Sequence, residues 1–183
     1  MAEQWQRVSS EVVGEFDVFQ VRRTRARSPR TGEVHEFHVL DVPCCVKVIP
    51  FTEDGRIVLV EQFRHAVQRV TLEFPAGVVE DGEDPVRAAL RELEEETGYR
   101  AASAELLVEF DPDPAIQANS VQLIVARGCT ADGERHQDHG EDVGVRLVAP
   151  EEIDQLIEQG VIRHSVAISA WYLHQLACER KAG

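Results

Sequence analysis

The sequence predicts an α/β fold in which many short strands surround one acidic helix and two further helices close the chain. Two observations carry this. Apolar and polar residues alternate with a period of two over many short segments, as in half-buried strands. Within the stretch 77–99 both ends of a helix are signalled: Asp84 suits the N-cap, Pro85 the first helical position, and Gly98 the left-handed position after the last turn.

Each element follows in order. Residues 12–42 read as two strands: Phe16 and Val18, and later Phe37 and Val39, alternate, and Ser28-Pro29-Arg30-Thr31-Gly32 supplies the turn. Residues 45–51 and 56–63 form a hairpin across Glu53-Asp54-Gly55. Leu72-Glu73-Phe74 is a short strand ending at Pro75, and the acidic helix follows. Residues 105–110 and 121–127 are strands, separated where Asp111-Pro112-Asp113-Pro114 breaks the chain. Residues 130–142 are polar, with His and Asp, and read as an exposed loop; 143–148 is a last strand. A helix over 150–158 has Gly160 beyond it, and Ser165 caps a final helix to about Cys178. Val166, Ala170, Leu173 and Ala177 give that helix one apolar face, while Ile168 and Trp171 form a second spot for another element or a partner subunit.

At 183 residues and 43% hydrophobic, the chain suits one domain with additions and can bury a core. No run of about eighteen apolar residues occurs, so no membrane span is expected, and the first residues lack an apolar targeting segment, which makes the cytoplasm the expected compartment. The four cysteines, Cys44, Cys45, Cys129 and Cys178, have neither zinc-ribbon nor redox spacing and are expected to be buried free thiols. The net charge of −14, from 33 acids and 19 bases, argues against binding nucleic acid or an anionic membrane. One basic run, Arg22, Arg23, Arg25, Arg27 and Arg30, reads as a strand edge kept unpaired by charge; a phosphate-contacting arm is the alternative.

The acidic helix points to chemistry. At about 100° per residue, with Glu92 at 0°, Glu95 falls near 300° and Glu96 near 40°, so three carboxylates share an arc of roughly 100°. Val86, Leu90 and Leu93 fall near 100–160°, as a core stripe, and Ala88 and Ala89 leave the carboxylate arc uncovered. Like charges at these spacings repel by a few tenths of a kcal/mol per pair. A hard divalent cation shared by several oxygens reverses that cost and carries substrate phosphates as well. A solvated acidic face is the competing explanation.

The spacing discriminates. Gly77, five residues, Glu83, seven residues, then Arg91-Glu92-Leu93-Glu94-Glu95-Glu96-Thr97-Gly98-Tyr99 fills every fixed position of a long gapped signature, with Tyr99 where a bulky apolar residue is called for. The chain resembles the Nudix hydrolase family. Val60-Glu61-Gln62-Phe63-Arg64, Leu72-Glu73-Phe74-Pro75-Ala76-Gly77 and Pro114, about fifteen residues past the motif, are similar to its ADP-ribose and nucleoside-diphosphate-sugar pyrophosphatase branch; Ala115 departs from the glycine of many ADP-ribose members and leaves the sugar open.

The resemblance implies an α/β/α sandwich with a mixed sheet over residues 43–183, preceded by an N-terminal β-strand region, 1–42, that serves dimerisation or strand exchange. It implies Glu92, Glu95 and Glu96 as metal ligands, Glu92 the less constant of them, joined by the Gly77 carbonyl, with Arg91 holding them and Glu83 either doing likewise or ligating a metal itself. Mg²⁺ is the implied ion, with Mn²⁺ as an alternative. Arg64, Glu73 and Gln62 are substrate-binding candidates, and Glu141 the residue that orients or deprotonates water; a surface ion pair, an edge-strand acid and a plain surface acid are the competing readings for Arg64, Glu73 and Glu141. Asp138 is a weaker base candidate. His136 and His139 read as part of a solvated loop, since no third ligand stands near them. Trp5 and Phe110 are candidates for stacking on a base, with plain packing as the alternative.

The implied function is Mg²⁺-dependent hydrolysis of the diphosphate bond of ADP-ribose or a nucleoside-diphosphate sugar, by a homodimer acting on a nucleotide-sugar small molecule. Two alternatives are a non-catalytic nucleotide-sugar sensor and a pyrophosphatase of nucleoside triphosphates or dinucleoside polyphosphates. A purely structural acidic protein is disfavoured by the complete motif. Sugar, base, number of metal ions and the phosphorus attacked stay open.

Overall fold

The computed structural model describes residues 2–136 and 142–182. The chain divides into two compact units, Met1–Cys44 with Asp111–Ser120, and Cys45–Phe110 with Val121–Gly183. In the first unit, β1 (Gln6–Glu15), β2 (Gln20–Arg27) and β3 (Val34–Asp41) form an antiparallel sheet in that order. The sequence predicts two strands here and the structure has three. The extra turn is tight and clamped by two phenylalanines: the Phe16 amide donates to the Phe19 carbonyl at 3.0 Å and the two rings stack at 4.9 Å. Without glycine or proline at its centre, that turn reads as more strand.

The arginine run also sits differently from its expected edge position. Arg22, Arg23, Arg25 and Arg27 lie on β2, the central strand, hydrogen-bonded on both sides, and Arg30 lies in the turn beyond it. Arg22 pairs with Asp41 at 2.5 Å, Arg23 with Glu11 at 2.5 Å, and Arg27 donates to the Gly32 carbonyl at 2.7 Å. Trp5 stands edge-on to His35 and Phe37 within this unit.

The second unit holds β4 (Cys45–Thr52), β5 (Ile57–Arg64), β6 (Arg69–Glu73), β7 (Ala76–Val78), α1 (Pro85–Thr97), β8 (Ser103–Phe110), β9 (Val121–Cys129), β10 (Val143–Val148), α2 (Pro150–Glu158) and α3 (Ser165–Ala182). Its sheet runs β10-β5-β4-β9-β8, mixed because β4 and β9 are parallel and the remaining pairs antiparallel. The hairpin strands β4 and β5 meet only at Phe51 and Ile57, then splay. Into the gap come β6, paired with β5, and β7, paired with β4. The sequence shows no strand at β7, because three residues with a glycine at their centre carry no period.

Helices cover both faces. On one, α2 and α3 bury Ile153, Leu156, Ala167, Ala170 and Trp171 against Ile49, Ile57, Leu59, Leu72, Phe74 and Leu123. On the other, α1 buries Ala88, Ala89 and Leu93 against Val46, Val48, Ile124 and Ala126. Each fully buried Leu or Ile contributes about 1.5–3 kcal/mol. This is the expected α/β/α sandwich.

Three local expectations change. On α1 the buried face is Ala88, Ala89, Leu93, Glu96 and Thr97, with Val86 and Leu90 only half-buried. The small alanines let the helix lie close to the sheet, which carries the inner edge of the carboxylate arc into the protein. On α3 the buried residues are Ala167, Ala170, Trp171 and His174, so Trp171 belongs to the core, where its indole donates to Asp154 Oδ1 at 2.7 Å. Of the four thiols only Cys129 is buried; Cys44 and Cys178 are exposed and Cys45 is intermediate. Among the described residues no helix is long and apolar enough to cross a membrane.

Candidate active site

The site forms where β7 meets α1. Asp84 Oδ1 accepts the Val86 and Arg87 amides, both at 3.1 Å, and starts the helix with Pro85 in its first turn. Gly98 ends it at φ 73°, ψ 13°, its amide donating to the Glu94 carbonyl at 2.7 Å. Between these caps the helix presents its acids to a cleft of about 500 Å³, lined by Gly77, Arg91, Glu92, Glu95, Glu96 and His136 among others.

Glu96 has an anchor of its own, whereas Glu92 and Glu95 share Arg91. Glu96 is 6% exposed, and its Oε2 accepts the Ala76 amide at 3.1 Å. Glu92 packs against Gly77 so closely that a Cβ there would stand 1.8 Å from the Glu92 carboxyl carbon. Arg91 Nη1 donates to Glu92 at 2.7 Å and to Glu95 at 3.1 Å. Its Nε and Nη2 hold Glu83 at 3.1 and 3.0 Å, and Nη2 also reaches the Val78 carbonyl at 3.0 Å. These bonds from Arg91 are the main reason the Glu83 carboxyl stays below the usual carboxylate range. Bonding to Glu83, with Glu92 and Glu95 adding to it, raises the Arg91 guanidinium.

The last turn of α1 is tied to the chain that follows β9. His136 N–H donates to the Glu95 carbonyl at 3.1 Å, Arg135 Nε to the Glu96 carbonyl at 3.1 Å, and Gly133 N–H to the Gly98 carbonyl at 3.0 Å. Arg135 Nη2 also reaches the Val143 carbonyl on β10. His136, exposed as expected of its loop, thereby also borders the acidic cleft. Glu141, Asp138 and His139 lie outside the described residues.

The donor set suits a hard divalent cation in chemistry: three carboxylates and a backbone carbonyl, all oxygen, beside one cleft. Among the described residues, no three carboxylate, imidazole or thiol groups already converge on one point. Arg91 supplies the positive charge that Glu92 and Glu95 share.

Arg64 and Glu73 are together, in a different cleft. Arg64 Nε and Nη2 donate to the two Glu73 oxygens at 2.9 and 3.1 Å, and both residues line a second cavity of about 500 Å³ with Arg163 and His164. Burial pushes the Glu73 carboxyl up, but Arg64, the Lys47 charge, Thr71 and His164 outweigh it and bring it to about 2. Gln62 sits on β5 between Val143 of β10 and Thr71 of β6, its carbonyl accepting the Thr71 hydroxyl at 3.2 Å. Lys47, buried on β4 beside Glu73, is a residue that the sequence reading passed over; a lone cation in the apolar run 46–49 is the signal that marks it.

Residues 43–170 match the model of the NUDIX domain. The chain belongs to the Nudix family. This Nudix hydrolase is 35% identical over 128 residues to an ADP-ribose pyrophosphatase of Bacillus subtilis (strain 168), covering 69% of each chain. It is 32% identical over 164 residues to one of Mycobacterium tuberculosis, covering 88% of this chain and 79% of that one. It is 34% identical over 144 residues to a methanol dehydrogenase activator of Bacillus methanolicus, covering 78% of each. The solved structure of an ADP compounds hydrolase superimposes with a TM-score of 0.85 at 19% identity, over 99% of this chain and 97% of that one, which shows the shared fold. The resemblance to the ADP-ribose pyrophosphatase branch therefore holds, and with it a family chemistry that uses a divalent metal ion.

Proposed function

We propose that this Nudix hydrolase cleaves the diphosphate of ADP-ribose or a related nucleoside-diphosphate sugar, releasing a nucleoside monophosphate and a sugar phosphate. The observation that carries the reading is the cleft lined together by Gly77, Glu92, Glu95 and Glu96, with Arg91 bridging Glu92 and Glu95. Relatives above 30% identity that are ADP-ribose pyrophosphatases support the substrate class. Water adds to one phosphorus and the bridging P–O bond breaks, so the departing phosphate keeps the bridging oxygen and the water proton passes to a base. A bound divalent ion, for which we take Mg²⁺ with Mn²⁺ as the substitute, lowers the pKa of water and neutralises charge on the phosphates.

The chain's own residues divide the remaining work. Glu92, Glu95, Glu96 and the Gly77 carbonyl are the ligands in this reading. Arg91 and Glu83 keep the carboxylates oriented. Arg64 offers a guanidinium to an anionic substrate from the second cleft, with Glu73 and Gln62 beside it on β6 and β5. Glu141 is our assignment for the residue that orients or deprotonates water. The reading also takes residues 1–42 as the dimerising part of a homodimer, 43–183 as the hydrolase domain, and the cytoplasm as the setting.

The test incubates the protein with Mg²⁺ and, in turn, ADP-ribose, ADP-glucose, GDP-mannose and UDP-glucose, then adds phosphatase and measures phosphate. Only cleaved diphosphates yield phosphate, and ADP-ribose is expected to be cleaved fastest. Tight binding without turnover on any of them overturns hydrolysis in favour of a sensor. Glu96→Gln is expected to lose on the order of 10³-fold in rate with the fold kept; a rate within tenfold of the parent means the ligand helix is misassigned.

A further inference from the structure

Lys47 is a cation in the middle of the sheet. It is 3% exposed, on a strand where Val46 and Val48 are wholly buried. Burying an ammonium costs several kcal/mol unless it is paired. Its Nζ donates to the Phe74 carbonyl at 3.0 Å and stands 3.5 Å from Glu73 Oε2. Glu73 already has a bidentate partner in Arg64 and accepts the Thr71 hydroxyl at 2.7 Å, so Lys47 is not needed to neutralise it. What Lys47 adds is the grip on the Phe74 carbonyl.

That carbonyl lies at a bend. The chain leaves β6, paired with β5, and enters β7, paired with β4, over Phe74-Pro75. Three contacts from two successive residues of β4 hold the bend: Lys47 Nζ on the Phe74 carbonyl, the Val48 amide on the Pro75 carbonyl at 2.9 Å, and the ladder pairing of Lys47 with Ala76. Immediately beyond it, the Ala76 amide donates to Glu96 and Gly77 packs on Glu92. Val46 and Val48 pack with α1, so Lys47 between them leaves β4 on the other face of the sheet. The Glu96 charge acts on the ammonium from a distance, but the hydrogen-bonded route from Lys47 to the carboxylates runs through this strand.

We propose that Lys47 is a positioning residue: by holding the Phe74 carbonyl and Glu73, it fixes the bend that presents the Ala76 amide to Glu96 and Gly77 to Glu92, and so sets the relative placement of two carboxylates of the cleft. This rests on the hydrolase reading for what those carboxylates bind. An apolar side chain would fill the same volume without the desolvation cost, and replacing a buried ion pair by apolar groups is often neutral or stabilising. The ammonium is therefore explained by the geometry it imposes rather than by stability.

The test uses the full chain with Lys47→Met and Lys47→Gln, the second keeping a donor near the Phe74 carbonyl. In the metal-free protein, hydrogen exchange at the Ala76 amide, read by NMR against the β9 amides as reference, is expected to quicken at least tenfold in Lys47→Met. Mn²⁺ affinity by calorimetry is expected to fall about tenfold, and kcat on ADP-ribose to fall with KM nearly unchanged. Lys47→Gln is expected to recover most of each loss. Parental exchange at Ala76 together with parental Mn²⁺ affinity in Lys47→Met overturns the proposal. If both variants fail to fold, Lys47 is a stability element and the proposal also fails. A parent protein that binds no Mn²⁺ and cleaves no diphosphate overturns the hydrolase reading itself, whatever the variants do.

Discussion

Gly77 and Glu92 are packed so closely that a methyl group on the glycine would occupy the carboxylate. A Cβ there would lie 1.8 Å from the carboxyl carbon and 2.1 and 2.3 Å from its oxygens. The glycine is required by this approach and not by an unusual backbone, since its φ is not among the positive ones. Gly77→Ala therefore forces Glu92 to swing away from β7 and from its 2.7 Å contact with Arg91. The expected outcome is a loss of about 10–100-fold in kcat, on the scale of a misplaced catalytic group. Steady-state kinetics and Mn²⁺ calorimetry on the variant check it; parental values for both would show that the placement of Glu92 is immaterial.

Arg91 joins five acceptors: both Glu83 oxygens, Glu92, Glu95 and the Val78 carbonyl. Its planar fork makes this possible, and a lysine offers only a point charge. Arg91→Lys should keep the fold and lose most of the rate, while Arg91→Met should also cost about 1.5–3 kcal/mol of stability, the range for hydrogen bonds to charged groups. Urea denaturation of the two variants beside their rates separates the effects. Equal rates for Arg91→Lys and the parent would mean that charge alone suffices.

Local chemistry made much of this legible in the sequence. The caps at Asp84 and Gly98 and the spacing from Gly77 to Tyr99 fix a helix, its ends and its acids, because each signal lies within a few residues of what it controls. The second layer was not legible. Arg64 and Glu73 are nine positions apart on neighbouring strands, and their pairing depends on the β5–β6 register. Lys47 and Phe74 meet only because β4 and β5 splay to admit β7. The inner placement of Glu96 follows from how closely two alanines let α1 approach the sheet, which no period along the chain records.

Glu73 links this network to pH. Its folded carboxyl titrates near 2 and its ordinary value is 4.5. Between those values the unfolded chain binds the proton and the folded one does not, so acid favours unfolding. The stability from this residue is complete above the ordinary value and is lost as the pH falls through about 2. Glu73→Gln should be less stable at neutral pH, and its stability should fall less steeply over that acid window. Urea midpoints measured at several pH values test this; parallel curves for variant and parent would refute it.

Arg135 closes the end of α1, where a helix leaves carbonyls without intrahelical partners. Here the Glu94 carbonyl takes the Gly98 amide, the Glu95 carbonyl the His136 amide and the Glu96 carbonyl Arg135 Nε, and the Thr97 hydroxyl returns to the Leu93 carbonyl. Among the described residues, Arg135 makes this contact with a side chain that also reaches the Val143 carbonyl on β10, so one guanidinium spans from the helix end to the sheet. The turn it secures carries Glu95 and Glu96. Arg135→Met removes both bonds and leaves the Glu96 carbonyl without that donor, at a cost of about 1–3 kcal/mol. A fraying last turn also loosens the two acids, so kcat should fall in the same variant while the N-terminal cap at Asp84 is untouched. Hydrogen exchange should therefore quicken at Thr97 and Gly98 and stay parental at the Ala88 amide, which lies in the first turn. Uniform acceleration along α1 would instead mean that the whole helix is destabilised, and no acceleration at all would mean that Arg135 does not secure its end.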